Sequence, residues 1–154
     1  YNKWAKVVGE DIFRGTHHYC AGLVWINRYK HHYASQYKGA ERDRRFALKS
    51  AIGEFEYMKE RVTLKHKLYY LILMNQAYAY KESKDYANAI INYQEIIKLQ
   101  PGYAQSYIEY ARLLKSIGKN EDAMMILQIG LKKTKGAKSI MQEITASEAA
   151  DAKN

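Results

Sequence analysis

The sequence has little that interrupts a chain and little that staples one. Its 154 residues include one proline, Pro101, and one cysteine, Cys20. A lone cysteine makes no intrachain disulfide, and without a Cys-x-x-Cys-His motif covalent haem attachment is excluded. Redox compartment cannot be read from it. With one proline and nine glycines, long stretches are left to Ala, Leu, Ile, Lys, Glu and Gln, the residues that helices favour. No apolar run approaches the roughly 20 residues that cross a bilayer, so no transmembrane segment is expected. A nucleophile motif, a phosphate-cradling glycine loop and a His-Glu-x-x-His pair are missing too. Neighbouring carboxylates such as Glu54 with Glu56, or Glu121 with Asp122, point to different helical faces. The expectation is a protein that is not an enzyme and uses neither metal nor cofactor.

What is present is apolar content of 47%, enough for a continuous core at this length. The net charge is +9, from 25 basic against 16 acidic residues, and residues 1–69 hold +7 of it. Such a bias raises encounter rates with an acidic partner, whether protein, nucleic acid or anionic membrane. Fifteen tyrosines exceed what a core of this size uses, and tyrosine gives amphipathic contact area at low entropic cost. A share of them is expected to face a partner.

Shifted by 34 positions, Tyr70 to Tyr103 aligns with Ala104 to Ala137. Ala77 meets Ala111, Ala89 meets Ala123, Tyr93 meets Leu127 and Ile96 meets Gly130. Antiparallel helices approach closely only where side chains are small, so alanines alternating with Tyr80, Tyr93, Leu114 and Leu127 describe a helix-pair contact. Gly118 stands where a left-handed cap is wanted, Asp85 and Asn120 where a helix N-cap is wanted, and Pro101 after a helix end. These positions resemble the tetratricopeptide repeat. Its small eighth, large eleventh, alanine twentieth, aromatic twenty-fourth and proline thirty-second positions are matched by Ala77, Tyr80, Ala89, Tyr93 and Pro101, then by Ala111, Leu114, Ala123 and Leu127, with Lys135 off pattern. The resemblance implies an all-α solenoid of antiparallel helix pairs.

The spacing also gives an earlier, degenerate unit. Gly22 with Trp25 repeats Ala77 with Tyr80, while Ala51, Phe55 and Met58 repeat Ala89, Tyr93 and Ile96, with 17 extra residues between the halves. Its first helix is expected from about Thr16 to Tyr33, with Tyr19, Leu23, Ile26 and Tyr33 on one stripe. The expected single domain thus has an N-terminal arm at 1–15, a degenerate repeat with an extended connection at 16–69, repeats at 70–103 and 104–137, and a capping helix at 138–150. That last helix would place Ile140, Met141 and Ile144 over the open end of the stack. Residues 151–154 are expected to fray.

His17, His18 and Cys20 form the most suggestive cluster for a site; His17 and Cys20 lie three apart and share a helical face, but two ligands do not close a metal site. The plainer reading is histidines at a helix start with a buried cysteine acting as a small apolar residue. His31 and His32 sit about 21 Å further along a helix at about 1.5 Å per residue and cannot share an ion with the first pair.

The repeat resemblance implies a protein–protein interaction scaffold or complex subunit. Its first helices would line a concave groove with Leu71, Met74, Asn75 and Tyr78, then Gln105, Ile108, Arg112 and Lys115, suited to an extended or acidic segment of another protein. Family members that clamp a C-terminal carboxylate use asparagine at Asn75 but lysine and arginine where this chain has Gln105 and Glu109, so that clamp is not implied. Arg28, Arg42, Arg44 and Arg45 are expected to form a second, basic attachment surface. The arm, with Trp4, Val7, Val8, Ile12 and Phe13, is short for an independent helix and is expected to lie against a neighbour or its own first helix. The stretch His17 to Arg28 resembles the N-terminal part of small bacterial repeat proteins that often carry export leaders. With Tyr1 as first residue, that implies the periplasm or cell surface, the cytoplasm being the alternative. The competing function is nucleic-acid binding by the basic half with its interleaved Tyr, His and Arg.

Overall fold

The computed structural model describes residues 2–34 and 37–151, and among these every regular element is an α-helix. They are α1 (Asn2–Val8), α2 (Glu10–Ala34), α3 (Ala40–Lys59), α4 (Lys67–Glu82), α5 (Tyr86–Leu99), α6 (Ala104–Ser116), α7 (Asn120–Lys133) and α8 (Lys138–Asp151). Contacts divide the chain into two compact units, Tyr1–Asn92 and Tyr93–Asn154, with the boundary inside α5.

In the first unit α2 packs along α3, and both touch α4. The contact is made by absent side chains. A Cβ on Gly22 would lie 2.5 Å from Cε1 of Phe55, and one on Gly15 would lie 2.8 Å from Sδ of Met58. Phe55, Met58 and Ala51 are fully buried beneath them. The pairing of Gly22 with the Ala51, Phe55 and Met58 group is therefore as the spacing indicated, but the buried stripe of α2 is Gly15, Gly22, Ile26 and Tyr29. Tyr19 is half-buried and Leu23 is exposed. Glycine carries no apolar signal, so a hydrophobic periodicity misses the face on which two helices come closest.

The helix placed at Thr16 begins six residues earlier, and the arm consists of α1, which contacts α2, and the first turns of α2. Gly9, at φ +91°, separates α1 from α2, yet its N–H donates to Ala5 O and its carbonyl accepts from Phe13 N–H, both at 2.9 Å. The turn thus costs few hydrogen bonds. Val7 is exposed, Ile12 and Phe13 are half-buried, and the side chains of Trp4, Val8, His32 and Tyr33 lie outside the described residues. Most of the 17 inserted residues lengthen helices, α2 to 25 residues and α3 to 20, where the later ones have 13 to 16. Positions 1, 35, 36 and 152–154 are outside the described residues, so of the segment 151–154 expected to fray the structure describes Asp151, the last residue of α8.

Helix ends are marked by a repeated device. Asp85 N–H bonds to Tyr80 O, Lys119 N–H to Leu114 O, and Gly136 N–H to Leu131 O, each bond reaching back five residues. Lys84 (φ 65°), Gly118 (φ 79°) and Lys135 (φ 54°) take the left-handed conformation that this closure needs. Asp85 caps α5, its Oδ1 accepting from Asn88 N–H at 3.2 Å. Asn120 is not an N-cap. Lys119 holds that position without a side-chain bond, because the five-residue closure brings the helix start one residue forward.

In the second unit Tyr107 fills the space over Gly130, where a Cβ would meet its Cγ at 2.6 Å, and its hydroxyl donates to Pro101 O at 3.0 Å. Ala111, Ala123 and Leu127 are fully buried around it. Helix α8 lies on α6 and α7, with Ile140 and Ser147 buried and Ile144 half-buried. Met141 is exposed, since a helix advances about 100° per residue and Met141 falls beside the 140, 144, 147 row rather than on it.

These contacts order the glycines by effect. Gly53 lies in α3, and a methyl added there would have nothing within 4 Å, so Gly53→Ala should gain about 0.5–1 kcal/mol from helix propensity. Gly22→Ala and Gly130→Ala gain the same term but drive a methyl into a buried ring, at about 1–3 kcal/mol, and should come out destabilised. Urea denaturation of the three variants checks the order; equal effects at all three positions would contradict the close contacts.

Candidate partner-binding surfaces

The α4 residues expected to face a partner are partly engaged within the first unit. Asn75 donates from Nδ2 to Leu71 O at 2.8 Å and to the Tyr19 hydroxyl at 3.2 Å. The Tyr78 ring is flanked by Lys30 Nζ from α2 and Lys81 Nζ from its own helix, each 5.2 Å from its centroid. Leu71, Met74 and Tyr78 are all half-buried. One turn away, sequence reasoning missed a polar chain. The buried Gln76 donates to Glu56 Oε2 at 2.7 Å and accepts from Asn92 Nδ2 at 3.1 Å. Burial acts to raise the Glu56 carboxyl, but hydrogen bonds from Lys59 and Gln76 outweigh it and hold the group below its ordinary value. A glutamine inside an apolar stripe gave the only clue.

The α6 set divides similarly. Gln105 is exposed and bonded to Glu109, while Ile108 is buried. Arg112 forks onto Glu143 of α8, with Nε to Oε1 at 3.1 Å and Nη2 to Oε2 at 2.7 Å. The Glu143 hydrogen bond, and then its charge, push the guanidinium further above its already high value. Lys115 bonds to the Ser147 hydroxyl of α8. Both cations of this face therefore hold the terminal helix, and Glu143 and Ser147, which sequence reading left aside, are their partners.

The basic half concentrates its chemistry at a cleft of about 550 Å³ walled by α2, α3 and the end of α4. Tyr29, Leu48 and Ile52 supply its apolar lining. Arg44, Arg45, Lys49 and Lys84 supply cations, and Glu41 and Glu82 are its two carboxylates. Both acids have partners. Glu82 accepts from the Tyr29 hydroxyl at 2.6 Å and lies 3.3 Å from Lys81 Nζ. Glu41 accepts from Arg44 at 2.7 Å, a bond that, with the charges of Arg44, Arg45 and Lys84, lowers its carboxyl against desolvation. Of the four arginines expected to form a basic surface, Arg44 and Arg45 line this cleft. Arg42 pairs with Asp43 at 3.2 Å. Arg28 lies over the Trp25 ring at 4.5 Å, with Phe46 edge-on to that ring at 5.4 Å. Lys49, Lys84 and Glu82 were not singled out from sequence, because 49, 82 and 84 lie on α3 and at the end of α4, and only the packing of α2, α3 and α4 together gathers them beside Tyr29.

The histidine cluster is resolved differently from its sequence reading. His18 Nδ1 lies 2.5 Å from Glu54 Oε2, with its ring 3.8 Å from that of Tyr57. The Arg61 guanidinium lies over the Tyr57 ring, 3.4 Å from its centroid. His18 thus ties α2 to α3. Cys20 is exposed, not buried, since Gly22 rather than Cys20 occupies the contact face. Among the described residues no group of three or more His, Cys, Asp or Glu side chains is placed to hold a metal ion, and no helix is long and apolar enough to cross a membrane.

Tyr78 gives the α4 face a titration signature. Burial, and then the Glu82 carboxylate, push its phenol up to about 12. An unfolded tyrosine ionises near 10, so above about pH 10 the unfolded chain releases a proton that the folded chain keeps. The stability linked to Tyr78 is intact below that pH and is lost as pH rises toward about 12. Tyr78→Phe should therefore lose less stability than the parent between about pH 10 and about pH 12 in urea titrations; parallel losses would contradict the shift. Neither a protein-family model nor a curated protein matches this chain.

Proposed function

We propose that this protein is a binding module of the tetratricopeptide-repeat kind that holds another protein, as a scaffold or a subunit of a larger assembly. The cleft carries this reading. It joins an apolar lining to a cationic rim on the half of the chain with most of the charge, the combination that fixes a partner by burial and draws it in by field. The repeat assignment is supported by α5 and α7, whose ends are offset by 34 residues, and by left-handed closures at Lys84 and Gly118 with the same offset. Periplasmic or cell-surface placement, proposed on the resemblance of His17 to Arg28, is open to fractionation of the native source.

A nucleic-acid reading draws on one observation, the exposed Phe46 beside Trp25 and Arg28, which offers an aromatic edge and a cation together. The two readings separate experimentally. A photo-reactive residue at Met74, Lys49 or Arg45, activated in the native source, should yield discrete protein adducts identifiable by mass spectrometry. Adducts with nucleic acid alone, together with oligonucleotide affinity falling linearly in log–log with salt, would overturn protein binding.

A further inference from the structure

We infer that the cleft between α2, α3 and the end of α4 is a docking site for an acidic peptide segment of the partner, which inserts an apolar side chain between Tyr29, Leu48 and Ile52 and pairs flanking carboxylates with Arg45, Lys49 and Lys84. This rests on the protein-binding reading above and gives the partner its chemistry.

Charge complementarity fixes the sign of the occupant. Glu41 and Glu82 point their acceptors at Arg44, Tyr29 and Lys81, so the negative charge in the lining is already answered within the chain. Arg45, Lys49 and Lys84 are exposed and form no salt bridge among the described residues. Arg45 and Lys49 are one turn apart on α3, as are Leu48 and Ile52, so a charged row and an apolar row run side by side. A ligand lying along α3 meets both at once.

The form of the lining selects a peptide over other anions. A base needs an exposed aromatic face to stack on, but Tyr29 is 6% exposed and its hydroxyl is held by Glu82. A phosphate backbone, charged at every step, would be drawn past two carboxylates, whereas a peptide places its acids singly and can keep them away from Glu41 and Glu82. A volume of about 550 Å³ accommodates one or two side chains with their backbone. Long Lys and Arg stems extend the apolar wall while their charges stay in water.

The test uses the whole chain and short fluorescein-labelled peptides of Glu, Asp and Ser carrying one central leucine or phenylalanine, read by anisotropy at low salt. Controls are the same peptides with serine at the centre, a Lys-rich version keeping the apolar residue, and a labelled single-stranded oligonucleotide. Saturable binding of the acidic apolar peptides is expected. It should weaken about tenfold when the central residue becomes serine, and about tenfold in the Arg45→Glu, Lys49→Glu double variant. That variant should in turn prefer the Lys-rich peptide. Should it melt early, Lys49→Glu and Lys84→Glu singly give the same readout, both sites being exposed. The inference is overturned if reversal leaves peptide binding within about twofold, if the central residue makes no difference, or if only the oligonucleotide responds to reversal. Peptide failure with protein adducts persisting at Met74 would remove this site and leave protein binding standing; loss of both removes both.

Discussion

The approach of α2 to α3 over Gly22 is the contact on which the first unit depends. With no Cβ at that position the Phe55 ring lies directly under the α2 backbone and is fully buried, a burial contributing about 2–3 kcal/mol for a large apolar side chain. The closeness also fixes where the end of α2 falls. Two turns beyond Gly22, Tyr29 reaches Glu82 of α4 with its hydroxyl, and the wall of the cleft is set by that reach. The second unit repeats the arrangement with the roles exchanged, the large residue on α6 and the glycine on α7, so that Tyr107 is held down on Gly130 and can bond to the carbonyl of Pro101.

Sequence reasoning recovered what depends on residue size and failed where structure depends on conformation or on side-chain reach. Ala77, Ala89, Ala111 and Ala123 are fully buried, as their small size at regular intervals implied. Gly118 was legible as a left-handed stop because glycine advertises it, but Lys84 and Lys135 adopt the same conformation without advertising it. The length of α2 was misjudged because Gly15, on its buried face, adds nothing to the apolar stripe from which the helix was traced. Half of the cleft was legible, through Arg44 and Arg45 in a basic run. The other half was not, because Lys84 and Tyr29 are scattered in sequence and carry no motif.

The lysine closure at position 84 has an electrostatic side. A non-glycine residue in the left-handed region costs about 1–2 kcal/mol, and Lys84 ends a helix whose last carbonyls carry partial negative charge. A cation there recovers about 0.3–1 kcal/mol, so the strain is offset in part and a positive group is left standing at the cleft. Gly118 closes α6 without that penalty and leaves no charge. The two closures are alike in backbone and different in surface, and it is the charged one, Lys84, that lines the cleft proposed as a docking site.

The polar residues on α4 and α6 constrain where recognition is available. Asn75 is bonded to Tyr19, and Arg112 and Lys115 to α8; a ligand that recruited them would first have to break contacts inside the chain. For Arg112 this means giving up a two-pronged ion pair, the geometry in which guanidinium and carboxylate bind most strongly. At the cleft the comparison runs the other way. Arg45, Lys49 and Lys84 are exposed and form no salt bridge among the described residues, so an incoming carboxylate meets them without breaking an ion pair, although Arg45 and Lys84 also act at a distance on Glu41. On the proposed reading, attachment by way of the cleft leaves the helix contacts intact, and the rows on α4 and α6 act as the internal fastenings of the two units.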